Sequence, residues 1–151
     1  MGLIYKKDNE FYVFEAVQPV KLTPLNDWIN KRKNGHFVLK RLKNSDKLLT
    51  DKKLNRLRTY GERYLGKDYD LYFEWSDERI YCSELVWKLY YQALDIKIGK
   101  LERLENFNLS NETVKEKLNE RYGSNIPKDE IVISPASVYN SAKLITIYKN
   151  R

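Results

Sequence analysis

The chain begins with two short apolar blocks split by a polar run. Gly2-Leu3-Ile4-Tyr5 leads into Lys6-Lys7-Asp8-Asn9-Glu10, and Phe11-Tyr12-Val13-Phe14-Glu15-Ala16 follows. Blocks of this length, rich in aromatic and β-branched residues, predict a hairpin with its turn at 6–10. A central strand that starts at residue 2 is unusual, because chain ends fray. Thr23-Pro24 reads as a helix start, with threonine as cap and proline in the first turn. Leu25, Trp28 and Ile29 carry that helix to the basic stretch ending at Gly35, and residues 36–42 alternate as a strand. Thr50 caps the next expected helix, whose apolar side is Leu54, Leu57, Tyr64 and Leu65, closing near Gly66.

From Lys67 to Tyr81 the sequence is aromatic and acidic with neither period, which predicts a structured loop. At Cys82 the pattern turns helical at once. Leu85, Val86, Leu89, Tyr90 and Ala93 make one broad apolar face. Ser110 caps a further helix through Val114, Leu118 and Tyr122 that stops at Gly123. Residues 130–133 and 144–148 read as strands, with a turn or short helix opening at Ser134-Pro135. The order β-β-α-β-α-loop-α-α-β-β is an α+β pattern, and 151 residues suit a single domain over 1–151.

Composition changes this picture little. Hydrophobic residues are 42% and charged residues 32%, as in ordered globular domains. No apolar run reaches a membrane-spanning length and no signal peptide is visible, so a cytoplasmic location is the default expectation. The 28 basic residues against 21 acidic ones give a net charge of +7. They are scattered, and no nucleic-acid motif accompanies them. The expectation is therefore no nucleic-acid partner, with peripheral contact to an anionic surface left open. One cysteine excludes an internal disulfide, and no metal site or cofactor is expected.

Cys82 stands where an irregular loop becomes the most hydrophobic helix. Helix N-termini carry unpaired amides and partial positive charge, which favour a thiolate and can hold the oxyanion formed when it attacks a carbonyl. A buried cysteine packing as a small hydrophobe is the plainer alternative. The flanking residues favour the nucleophile. Leu65-Gly66-Lys67-Asp68-Tyr69 followed by Tyr81-Cys82-Ser83-Glu84-Leu85-Val86-Trp87 resembles the nucleophile region of bacterial NlpC-type cell-wall amidases. The form Cys-Ser-Glu-Leu-Val is similar to the circularly permuted branch, the YiiX-type permuted papain-like cysteine amidases. In that branch the histidine strand precedes the cysteine helix, and Gly2-Leu3-Ile4-Tyr5 and Phe14-Glu15-Ala16 resemble its first two strands. The likeness covers almost the whole chain.

The resemblance implies a permuted papain-like α+β fold, with an antiparallel sheet packed against the cysteine-bearing helix. It implies a hydrolase or acyltransferase working through a Cys82 thioester on cell-wall peptides or lipid-like amides. Glu15 matches the carboxylate that orients the family's histidine, and Tyr69 matches a tyrosine whose hydroxyl serves the oxyanion. Tyr81, Ser83 and Trp75 are candidates for the substrate-binding wall. The family's histidine lies in a His-x-Gly pattern that maps to the position before Met1, so truncation at the N-terminus is the expectation. His36 reads as a surface or strand-edge residue. The competing function is a catalytically silent binding module that keeps the groove.

Overall fold

The computed structural model describes residues 1–106 and 112–150. Strands β1 (Leu3–Lys7) and β2 (Glu10–Glu15) form the hairpin, with Leu3 opposite Phe14 and Lys7 opposite Glu10. The turn is tighter than the sequence implied. Asp8 and Asn9 both take positive φ, 50° and 66°, as a two-residue hairpin turn requires. Lys6, Lys7 and Glu10 therefore belong to the strands.

The predicted helix starts directly after Pro24, but Thr23 does not cap it. Both residues lie in β3 (Lys21–Pro24), antiparallel to β2 with Val13 opposite Thr23. Helix α1 (Leu25–Asn30) follows without a side-chain cap. The Thr23 hydroxyl donates instead to Glu15 Oε1 at 2.8 Å, and this tertiary bond outweighs the local capping preference. Strand β4 (Val38–Leu42) pairs antiparallel with β9 (Leu144–Lys149) as a separate ribbon. His36 is exposed just ahead of β4.

A short α2 (Ser45–Leu48) precedes α3 (Asp51–Glu62), which Thr50 caps as expected by accepting from the Lys53 amide. Helix α3 ends one turn earlier than the apolar pattern suggested. The Tyr64 amide bonds back to Gly61, Gly66 turns at φ +77°, and its amide is taken by the Val20 carbonyl. Leu54 and Leu65 are exposed in consequence, while Leu57, Tyr60 and Tyr64 pack inward.

The loop region contains a two-residue parallel pair, β5 (Asp68–Tyr69) beside β6 (Arg79–Ile80). Helix α4 (Cys82–Leu94) starts at the predicted residue. Strand β7 (Glu102–Arg103), which the hydrophobic pattern did not predict, pairs with β8 (Ile131–Val132). Between them lies α5 (Glu112–Tyr122), ending at Gly123 with φ +58°. The predicted cap Ser110 and the Val114 side chain lie outside the described residues. Ser134 caps α6 (Pro135–Tyr139) through the Ser137 amide.

Two apolar clusters meet along α4. Leu85 and Leu89 join Phe14, Ala16, Val20, Tyr64 and Ile80 on one side. Val86 and Trp87 join Leu42, Tyr81, Ile98, Ile133 and Val138 on the other. Each of these buried aliphatic side chains contributes about 1.5–3 kcal/mol by leaving water. A helix held on both sides has a fixed N-terminus, and that is what positions the site.

Candidate active site

Cys82 is the first residue of α4 and remains partly exposed. The first intrahelical bond runs from the Leu85 amide to the Tyr81 carbonyl. The amides of residues 82–84 thus have no intrahelical acceptor. Tyr81, at the cap position, supplies none either. Its hydroxyl accepts from the Ile133 amide at 3.0 Å, too far from the helix turn to cap it. Glu84 reaches back instead, and its Oε2 accepts from the Tyr81 amide at 3.3 Å.

Tyr69 is brought to the thiol by a chain of backbone contacts. Its amide donates to Gln18 Oε1 at 2.6 Å, and Gln18 Nε2 donates to Asp68 Oδ1. The β5–β6 pairing sets Tyr69 opposite Ile80, two residues before Cys82. The Tyr69 hydroxyl lies within electrostatic reach of the Cys82 sulfur. Burial, then the negative charge of the sulfur, push the Tyr69 hydroxyl up to about 12, with the Arg121 guanidinium opposing. Tyr69 keeps its proton, and so stays a hydrogen-bond donor, throughout the neutral range.

Glu15 is buried at the end of β2. Its Oε1 accepts from Thr23 and its Oε2 from Trp28 Nε1 at 2.7 Å, with Arg32 3.5 Å away. The guanidinium of Arg32 lies over the Trp28 ring at 4.2 Å. The register places Gly2 beside Glu15. A Cβ at Gly2 would sit 2.5 Å from Val13 Cγ1 and 2.6 Å from the Phe14 carbonyl, so only glycine lets the strands approach here.

The three wall candidates turn inward. Tyr81 is 2% exposed and its hydroxyl is held by Ile133, while buried Ser83 donates to the Ile133 carbonyl at 2.7 Å. Both side chains tie α4 to the segment after β8. Trp75 packs edge-on against Trp87 at 5.4 Å between centroids.

Sequence reasoning missed the buried charges of α4. Glu84 is fully buried, with Oε1 2.8 Å from Lys88 Nζ. Lys88, also buried, donates to the Ser76 carbonyl at 2.6 Å and to Asp77 Oδ1 at 2.7 Å. It clamps the aromatic loop to the nucleophile helix. Burial raises the Glu84 carboxyl to about 7 against the opposing pull of Lys88, whose hydrogen bond holds Asp77 below its usual value. The signal was available: a Glu and a Lys four residues apart inside an apolar helix.

A nucleophilic residue type at a helix start, with a tyrosine hydroxyl in electrostatic reach, is the arrangement expected of a cysteine hydrolase. Residues 2–148 match the model of the permuted papain-like amidase enzymes, the YaeF/YiiX, C92 family. The chain belongs to that family. It is 44% identical over 148 residues to the uncharacterized protein YiiX of Escherichia coli strain K12, covering 98% of this chain and 72% of that one. It also superposes on a solved crystal structure, that of the metalloprotein YiiX from Escherichia coli O157:H7. The TM-score is 0.92 at 44% identity, covering 99% of this chain and 81% of the other. Among the described residues no helix is long and apolar enough to cross a membrane.

Proposed function

We propose that this family member hydrolyses an amide or related acyl bond through a thioester on Cys82. The observation that carries the reading is a partly exposed thiol as the first residue of α4, with the Tyr69 hydroxyl in electrostatic reach of its sulfur. The sulfur attacks the carbonyl carbon, and the amides opening α4 together with the Tyr69 hydroxyl receive the oxyanion. Collapse expels the amine and leaves the acyl group on sulfur, and water or another acceptor then releases it. The leaving amine needs a proton, which neither amides nor a neutral tyrosine hydroxyl delivers at neutral pH. In the family's His-x-Gly pattern that donor stands one residue before Met1. By strand alternation this position shares the face of Gly2 and Glu15. Glu15 then serves as the carboxylate that orients the imidazole, with Thr23, Trp28 and Arg32 holding it in place. Helix α4 on the β1–β2–β3 sheet is the papain-like frame for these parts.

The solved YiiX relative is described as a metalloprotein. Among the described residues of this chain no three of His, Cys, Asp and Glu converge to hold a metal ion. Glu15 is engaged by Thr23, Trp28 and Arg32.

The test compares this chain with one carrying a histidine before Met1, on a panel of wall peptides and N-acyl amides. Turnover that needs both that histidine and Cys82 supports the reading. Binding of a panel member without turnover in either form, and unaffected by Cys82→Ala, would favour the silent binding module.

A further inference from the structure

We infer that Arg121 anchors an anionic group, carboxylate or phosphate, on the substrate beside the bond that Cys82 attacks; the assignment rests on Cys82 being the nucleophile. Arg121 lies in the last turn of α5, with its guanidinium 4.1 Å from the centroid of the Phe73 ring. Phe73 in turn meets Tyr81 edge-on at 5.0 Å, and Tyr81 immediately precedes Cys82. Tyr69, whose hydroxyl is in electrostatic reach of the sulfur, packs on the same cluster as Phe73 and Tyr81. One cation thus sits on the aromatic cluster that packs behind the start of α4. Its charge reaches the Tyr69 hydroxyl, which it pulls down against burial.

The ion pairs among the described residues use Arg32, Arg79, Lys88 and Arg103, and Arg121 is in none of them. The neighbouring acids have other partners, although Asp70 Oδ2 is left without one. Glu74 pairs with Arg79, Glu130 accepts the Trp75 amide, and Asp70 accepts the Tyr72 amide. Asp70 is fully buried, and burial raises its carboxyl above the usual range, which weakens it as a counter-ion. A guanidinium held over an aromatic ring can still turn N–H donors outward, and their fork fits the two oxygens of a carboxylate or phosphate. The site therefore selects acyl or amide substrates that bear such a group near the scissile carbonyl.

The single cysteine gives a direct test. Cys82 is alkylated with iodoacetate, which is anionic, and with iodoacetamide, which is neutral, and intact mass follows both rates. Their ratio cancels the reactivity of the sulfur itself, so it reports the anion site alone. The iodoacetamide rate reports the nucleophile reading separately. We expect the iodoacetate preference to fall about fivefold in Arg121→Met, to persist in Arg121→Lys, and to shrink as salt is raised. Far-UV circular dichroism and the urea midpoint of Arg121→Met, compared with the parent chain, show whether it is still folded. At matched ionic strength, inorganic phosphate and acetate are then compared as protectants against iodoacetate. Stronger protection by phosphate assigns a phosphate-bearing substrate, and stronger protection by acetate a carboxylate. A ratio that Arg121→Met leaves unchanged overturns the inference, as does absence of protection by either ion or protection that survives in that variant.

Discussion

Helices α3 and α4 run to 12 and 13 residues and lie against each other, yet they begin in opposite ways. Helix α3 opens on Thr50, whose hydroxyl takes up the Lys53 amide, and most of its side chains face water. Helix α4 opens on a tyrosine turned into the core and a half-buried thiol, and its first two turns are buried almost all round. The first helix spends its terminal amides on its own cap. The second keeps the amides of residues 82–84 available and settles Glu84 against Lys88 in the interior. On the proposed function, the difference separates a helix built for stability from one built to present a reactive end.

Four substitutions break or sharpen that contrast. The largest effect belongs to Cys82→Ala, expected to remove at least about 10³-fold of amide turnover while thermal unfolding barely moves. Next, Lys88→Met leaves Glu84 buried without its partner. Stability should fall by about 3 kcal/mol at pH 8, and by less at pH 5, in urea titrations at both values. Third, Tyr69→Phe removes one oxyanion donor. The expected result is a fall in kcat of about 10²-fold with little change in KM. Thr50→Ala, at the ordinary end of the pair, should cost about 1 kcal/mol of stability and leave turnover unchanged.

The pH dependence sharpens the same contrast. The folded Glu84 carboxyl sits at about 7 against an ordinary value of 4.5, so the folded state holds a proton that the unfolded chain has already lost. Its contribution to stability therefore declines as pH rises from about 4.5 to about 7 and is level above that. The decline is at most about 3 kcal/mol, and Glu84→Gln should remove it. A wild-type urea midpoint that rises over this window would contradict the assignment.

The cysteine helix was legible because its signal is local: a Cys-Ser-Glu-Leu-Val start followed by apolar residues at helical spacing. Tyr69 and Glu15 could be named from resemblance, but what holds them could not. Gln18 meets Tyr69 from 51 positions away, and Thr23 meets Glu15 across a strand pair. The same tertiary bond explains why Thr23-Pro24 read as a helix start and became a strand, since capping chemistry and strand pairing compete for one hydroxyl. The split of the strands into separate pieces was equally hidden. Two-residue strands such as β5 and β7 carry no period to detect.

The most direct test of the central claim is the rate at which iodoacetamide alkylates Cys82 in the folded chain, compared at the same pH with the urea-unfolded chain. If the opening of α4 activates the thiol, the folded chain reacts faster even though its sulfur is half-buried. If folding slows the reaction, Cys82 is a packing residue and the amidase reading of this site fails.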